Sequence, residues 1–295
     1  MKIASFLATS SVDDSADRRA RPPGWIMPRC YRFDSLTTRT LVIKFRDRCC
    51  VGGHEPARLS LDESPKIPET TAEALSLIIG MPGELRDQLA AYVGHSRRLQ
   101  PAIAAAYDRL IGHLMAVYSG QIGPAVGDPM PDFLLSDQNG HLMALDRFLE
   151  DGPLVISMNR GHWCPFCKID LRALAKIAPE IRRRGAQVVS IMPEKARFTK
   201  QSIADNALPF PILSDVDLAY ALSLGMVYWV GTEVKQLYED LDLDLERFQG
   251  NSGYFLPMAA KFIVGRDGII KARQIDVDYR QRMEPSVILE ALARL

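Results

Sequence analysis

Hydrophobic positions recur at helical spacing between residues 70 and 118. Leu85, Leu89 and Tyr92 lie on one face of a helix by this spacing. Thr70 and Glu73 form a candidate capping box at the start of the region. The pattern predicts two or three helices that end near residue 118. Residues 1 to about 65 show no sustained period apart from a strand-like run at Thr40–Phe45, and we expect them to form a poorly ordered extension.

Beyond residue 123, short apolar runs alternate with amphipathic stretches, which is typical of βαβ units. The predicted strands are residues 133–135, 142–144, 154–158, 188–191, 211–213, 261–264 and 269–273. The predicted helices are residues 165–184, 195–206, 218–224 and 285–294. Asn139-Gly140 and Asp267-Gly268 are hairpin turn sequences. The sequence therefore predicts an α/β domain behind a helical segment.

Composition narrows the class of protein without naming a partner. The 295 residues hold 36 basic and 36 acidic side chains and are 47% hydrophobic, as in an ordinary globular protein. A net charge of zero gives no general attraction to nucleic acid or acidic lipid. No apolar run reaches the length of a secretion signal or of a membrane span. We therefore expect a cytoplasmic protein without nucleic-acid or membrane partners.

Of the five cysteines, only Cys164 and Cys167 have a spacing that carries a mechanism. They follow the apolar run LVISM and open a predicted helix, with Pro165 in its first turn. Free backbone N–H groups and the helix dipole stabilise a thiolate at that end, so the pKa of Cys164 is expected to be lowered. Cys167 lies one helical turn further on the same face, within reach of the first sulfur.

The residues around the pair suggest supporting roles. Arg160 and His162 would add positive charge beside the thiolate, although His162 could equally be a surface residue without a role. Trp163 either shapes the rim of the site or fills space under the loop. Phe166 is expected to be an exposed docking contact, and the acidic run 239–246 a solvated face.

Three other interpretations of the C-x-x-C spacing fit the sequence less well. A zinc site would need further ligands, for which the candidates are Cys49, Cys50 and His54. Haem attachment requires a histidine after the second cysteine, where Lys168 stands. Two inert buried cysteines remain an alternative, but the strand-to-helix position favours redox chemistry. We expect no metal and no bound cofactor.

Four motifs then occur in the order found in one family. The four motifs are GDPMPDFLL at 127–135, RGHWCPFC at 160–167, FPILSD at 210–215 and FIVGRDGII at 262–270. They resemble motifs of the alkyl hydroperoxide reductase and thiol-specific antioxidant group of peroxiredoxins, in its C-P-F-C branch. The resemblance implies a thioredoxin-like fold, a mixed central sheet flanked by helices, over residues 121–295. The helical segment 66–120 resembles an addition of that branch, and residues 1–65 lie outside the match.

The resemblance implies a thiol peroxidase that uses thioredoxin or a glutathione-linked donor. Cys164 would become a sulfenic acid and Cys167 would close a Cys164–Cys167 disulfide. A homodimer is also expected. The sequence departs from typical peroxiredoxins at Ser157, Gly161 and Ala259, where the family carries Pro, Thr and its peroxide-binding Arg, and Arg160 is the expected substitute donor.

Two other functions stay open at this point. One is a thiol-disulfide oxidoreductase of the thioredoxin or glutaredoxin type, and the other is a redox sensor that turns over poorly. Pro257 lies two residues before Ala259 and is either a cis-proline or an ordinary loop proline.

Overall fold

The computed structural model describes residues 31–37, 40–45, 58–60, 67–118 and 120–295. The chain divides into two compact units, Met1–Ile67 and Pro68–Leu295. In the first unit β1 (Tyr31–Thr37), β2 (Thr40–Phe45) and β3 (Arg58–Ser60) form an antiparallel sheet in that order, and β2 is the predicted strand-like run. The zinc candidates Cys49, Cys50 and His54 lie outside the described residues.

The second unit opens with the predicted helical segment. It consists of α1 (Thr71–Ile79), α2 (Leu85–Leu99) and α3 (Pro101–Val117). Thr70 caps α1 by accepting the backbone N–H of Glu73 at 3.1 Å. The Glu73 carboxylate accepts the N–H of Glu69 at 2.9 Å, one residue before the position that a standard capping box uses.

A seven-stranded mixed sheet follows, in the order β12-β11-β6-β7-β8-β4-β5. Its strands are β4 (Leu134–Asp137), β5 (Leu142–Ala144), β6 (Leu154–Met158), β7 (Gln187–Met192), β8 (Ile212–Ser214), β11 (Ala259–Val264) and β12 (Ile270–Asp276). Strands β6, β7 and β8 are parallel, and the other neighbours are antiparallel. Every predicted strand is confirmed within three residues at either end, and both hairpin turns close antiparallel pairs.

Helices cover the sheet, and a short ribbon lies beside it. The helices are α4 (Leu145–Asp151), α5 (Pro165–Arg183), α6 (Ala196–Asn206), α7 (Ala219–Ser223), α8 (Gly231–Asp240), α9 (Leu245–Gln249) and α10 (Pro285–Leu292). Strands β9 (Val227–Trp229) and β10 (Phe255–Pro257) pair as the ribbon. Pro257 is trans. No helix in the described part of the chain is long and apolar enough to cross a membrane.

Burial explains why the sequences of the central strands are continuous apolar runs. All five residues of β6 are buried, because hydrophobic clusters pack on both faces of the sheet. A third cluster joins the helical segment to the start of α5, where Ile78, Leu89 and Tyr92 pack with Cys164 and Cys167. The helical segment therefore lies directly over the cysteines.

Candidate active site

The two cysteines lie where β6 passes into α5. Cys164 is the N-cap of α5, with an extended backbone at φ −81° and ψ 116°, and Pro165 occupies the first helical position. The carbonyl of Cys164 accepts the N–H of Lys168 at 3.1 Å and so starts the helix. Both sulfurs belong to separate, fully buried thiols. The predicted strand-to-helix placement is confirmed.

The loop between β6 and α5 is fixed by polar contacts within the sheet. The side-chain amide of Asn159 donates to the hydroxyls of Ser157 at 2.9 Å and of Ser190 at 3.1 Å. Gly161 follows, and a Cβ there would lie 2.4 Å from Trp163 Nε1 and 2.7 Å from Glu194 Oε1. Only glycine fits at 161 without displacing one of these two side chains.

Two arginines and the helix start surround the sulfurs with positive charge and N–H donors. Arg160 Nη1 lies 4.0 Å from Cys164 Sγ, and the backbone N–H of Arg160 donates to Cys167 Sγ at 3.4 Å. Arg282 Nη2 donates to Cys167 Sγ at 3.5 Å. Sequence reasoning named Arg160 but missed Arg282, which no local motif connects to the cysteines.

These surroundings divide the two thiols into an acidic and a weakly acidic one. Burial would raise the pKa of Cys164, but the hydrogen bond from Cys167 and the charges of Arg160 and Arg282 outweigh it and lower that pKa to about 6. Burial and the neighbouring Cys164 thiolate raise the pKa of Cys167 well above its usual range. Near neutral pH, Cys164 carries the negative charge and Cys167 holds a proton.

Arg160 lies in a cage of aromatic side chains. Its guanidinium lies 3.9 Å from the ring centre of Tyr279 and 5.1 Å from that of Trp163. Nη2 donates to the hydroxyl of Tyr238 at 2.9 Å, and that hydroxyl accepts a second hydrogen bond from Tyr107 at 2.8 Å. In the described residues no carboxylate pairs with Arg160, so a thiolate on Cys164 is its nearest counter-charge.

His162 is directed to a different partner. Its ring Nδ1 lies 2.8 Å from Glu194 Oε1, and its backbone N–H donates to Glu194 Oε2 at 2.9 Å. The ring stacks on Phe198 with centroids 5.0 Å apart. The structure thus brings His162 together with Glu194, and a role for His162 in stabilising the thiolate stays a prediction.

Phe166 corrects one expectation. It was expected to be exposed for docking, but only 6% of its surface is accessible. Its ring packs edge-on against Tyr92 at 5.1 Å and Tyr279 at 5.3 Å. The expectation was wrong because α2 and the segment around Tyr279 cover this turn of α5. In the acidic run 239–246, by contrast, the carboxylates are exposed and Leu245 alone is fully buried.

Cys164 faces a cavity of about 310 Å³. Trp163 and Arg160 line it beside the cysteine, and α8 contributes Tyr238. The helical segment supplies much of the remaining wall through Leu75, Tyr92, Ile103 and Tyr107. Its size and aromatic lining are those of a small-molecule pocket. Within the described ranges, no group of three or more histidine, cysteine or acidic residues is arranged to hold a metal ion.

A strand that delivers a C-x-x-C pair to a helix start, in a mixed sheet flanked by helices, is the arrangement of a thioredoxin-like fold with a candidate thiol redox site. Residues 126–273 match the AhpC/TSA family. This match spans half of the chain, and the protein belongs to that family. The family expected from the motif order is confirmed, whereas its C-P-F-C branch stays a prediction.

Individual relatives share parts of the chain. Peroxiredoxin-6 of Gallus gallus is 30% identical over 115 residues, which are 36% of this chain and 51% of the relative. Thiol-disulfide oxidoreductase ResA of Geobacillus kaustophilus is 27% identical over 92 residues, 31% of this chain and 52% of the relative. The chain thus spans about half the length of these relatives. The crystal structure of peroxidoxin BcpB from Mycobacterium tuberculosis aligns with a TM-score of 0.46 at 20% identity, covering 59% of this chain and 99% of that one.

Proposed function

We propose that the protein is a thiol peroxidase that reduces hydrogen peroxide or organic hydroperoxides. The observation that carries this proposal is an acidic thiol, Cys164, at a helix start beside Arg160 and in the wall of a small cavity. A thiolate is the reactive form of cysteine, and a cation beside it also stabilises charge that develops on a peroxide oxygen. The likeness to peroxiredoxin-6 supports the same activity.

The reaction has two chemical stages. The Cys164 thiolate attacks one peroxide oxygen, the O–O bond breaks, and the leaving oxygen takes a proton to become water or an alcohol. Cys164 is then a sulfenic acid. The Cys167 sulfur attacks it, the S–O bond breaks, and the hydroxide combines with the Cys167 proton to leave as water. Thioredoxin or a glutathione-linked donor returns the disulfide to two thiols, so no bound cofactor is needed.

The cavity supports small hydroperoxides as substrates. Cys164 has no surface accessible to a water-sized probe, so an oxidant must enter the cavity and displace part of its wall to reach the sulfur. The apolar part of the wall, including Leu75 and Ile103, suits an organic chain, while Arg160 and Tyr238 supply the donors for the peroxide group. We therefore extend the proposal to organic hydroperoxides that carry a small apolar group.

Stopped-flow tryptophan fluorescence of the reduced protein tests the proposal, because Trp163 lines the cavity. We expect hydrogen peroxide or cumene hydroperoxide to react faster than oxidised glutathione. Leu75→Phe fills part of the cavity and should slow cumene hydroperoxide about tenfold, a change worth about 1.4 kcal/mol in the barrier, with little effect on hydrogen peroxide. Leu77, which is 51% exposed on the same helix, provides the control variant Leu77→Phe.

A second candidate is a thiol-disulfide oxidoreductase, which the likeness to ResA favours. It would show the opposite order of oxidants, with oxidised glutathione fastest. A sensor would oxidise once and be re-reduced slowly by every donor. The cytoplasmic location, whose thiol pool would regenerate the protein, and the homodimer both stay predictions.

A further inference from the structure

The segment after β12 delivers a cation to the second cysteine. Arg282 lies nine residues beyond the family match, and only 9% of its surface is accessible. Its Nη2 donates to Cys167 Sγ at 3.5 Å, and its Nε has no hydrogen-bond partner in the described residues. With the backbone N–H of Arg160 at 3.4 Å, Cys167 has two N–H groups directed at its sulfur.

Contacts on both sides of Arg282 hold this segment in place. Arg280 bonds the Asp278 carboxylate through Nε at 2.7 Å and reaches Asp108 on α3 through Nη1 at 2.6 Å. The carboxylate of Glu284 accepts the backbone N–H groups of Leu85 at 3.0 Å and Arg86 at 2.7 Å at the start of α2. The backbone on either side of Arg282 is therefore tied to the helical segment, and the guanidinium has a fixed position against the sulfur.

The charges nearby leave Arg282 available to a thiolate. Lys261 and Asp170 form a buried ion pair that compensates itself. Arg282 makes no ion pair with a carboxylate in the described part of the chain, although Asp170, Cys167 and Cys164 all favour its charged form. A buried guanidinium is costly unless a negative partner accompanies it, and the sulfur of Cys167 is the atom that it contacts.

We propose that Arg282 is a catalytic residue for the second half of the cycle, where it stabilises the thiolate of Cys167. In disulfide formation, it favours release of the Cys167 proton, and the resulting thiolate attacks the Cys164 sulfenic acid and displaces hydroxide, which takes up a proton and leaves as water. In the return step, the thiolate of an external dithiol attacks Cys164 Sγ, the S–S bond breaks, and the electron pair leaves on Cys167 beside Arg282. The second thiol of the donor then displaces Cys164 and leaves the donor as a disulfide.

This assignment rests on the proposed function for its place in the cycle, but the contact between Arg282 and Cys167 can be tested without peroxide. In a Cys164→Ser background, Cys167 is alkylated with iodoacetamide across a pH series and quantified by peptide mass spectrometry. Adding Arg282→Gln should raise the pH midpoint of Cys167 alkylation by about one pH unit, a tenfold loss of thiolate below that midpoint. Arg282→Lys should restore part of the shift because it returns the positive charge.

Single-turnover kinetics extend the test to the cycle. With both cysteines present, disulfide formation is the phase whose rate does not depend on peroxide concentration. Arg282→Gln should slow this phase about tenfold and move the midpoint of its pH profile to higher pH. Arg182→Gln, on an exposed position near the end of α5, is the matched control and should leave both phases unchanged.

The outcomes separate the two proposals. An unchanged alkylation midpoint in a folded Arg282→Gln protein overturns the assignment, and so does a midpoint that Arg282→Lys fails to restore. If Arg282→Gln does not fold, Arg282→Lys in the same background decides, since a fixed charge predicts a smaller upward shift and a purely structural role predicts none. If the midpoint shifts while Cys164 of the wild-type protein never forms a sulfenic acid, the stabilisation of the Cys167 thiolate by Arg282 stands and the peroxidase is rejected.

Discussion

Replacing Cys164 by serine is expected to abolish peroxide consumption, whereas Cys167→Ser should still consume about one equivalent per chain and then stop. Of the two cysteines in the described residues, Cys164 alone combines a lowered pKa with a position on the cavity wall, so we expect its sulfur to form the sulfenic acid. Without Cys167, the sulfenic acid has no internal partner and waits for an external thiol or is overoxidised. Trapping with dimedone, followed by mass spectrometry, measures the amount of sulfenic acid.

The wild-type protein provides the matching measurement. After one equivalent of peroxide, peptide mapping should show a Cys164–Cys167 disulfide, the pairing that the one-turn spacing allows. A bridge from Cys164 to Cys30, Cys49 or Cys50 would contradict the proposed resolving residue. Preferential dimedone labelling of Cys167 would reverse the two roles.

Arg160→Met is expected to lower the rate of Cys164 oxidation at pH 7 by about a hundredfold. Loss of the charge raises the pKa of Cys164 above neutrality, so that roughly a tenth of the sulfur remains as thiolate at this pH. Loss of a donor to the peroxide accounts for a further factor of about ten. Because Arg160 has no carboxylate partner in the described residues, the substitution leaves no buried carboxylate behind, and Cys164 can take up a proton, so the fold should persist.

The pH profile distinguishes the two effects. In the wild type, the rate should rise with pH through about 6 and then level off, since a lowered pKa means that protonation removes the thiolate only below that value. In Arg160→Met, the midpoint should move upward, and the plateau should stay below that of the wild type. Tyr238→Phe, which removes the hydrogen bonds to Arg160 and Tyr107 but no charge, is the control and should change the midpoint less. An unmoved midpoint in Arg160→Met would count against Arg160 as the source of the acidity.

The parts of the site that were predictable are those set by local sequence. The apolar run of β6, Pro165 at a first helical turn and a cysteine just before it together fix where a thiol meets a helix start, whatever surrounds them. The same holds for the two hairpins, whose turn residues demand their conformation. Helix α5 was predicted at 165–184 and lies at Pro165–Arg183, because its start and its period are both set by local sequence.

Contacts between distant segments could not be predicted. Tyr107 and Tyr238 contact Arg160 beside Cys164, and Arg282 contacts Cys167, from three segments far apart in sequence. None of the three carries a pattern that marks it as part of a site. The error at Phe166 has the same origin, because its burial depends on a helix that the sequence placed but could not orient. Elements of three to five residues, such as β9, β10 and α9, depend on tertiary packing more than on propensity.

The boundary of the family match has a consequence for comparing genomes. The match ends at residue 273, whereas the cover of the cysteines comes from α1 to α3 before it and from Arg282 after it. A profile restricted to the matched region therefore carries no information about this cover. A search profile that requires the R-G-x-W-C-P-F-C motif, a tyrosine aligned with Tyr107 and an arginine aligned with Arg282 would select proteins that share the cover described for this chain.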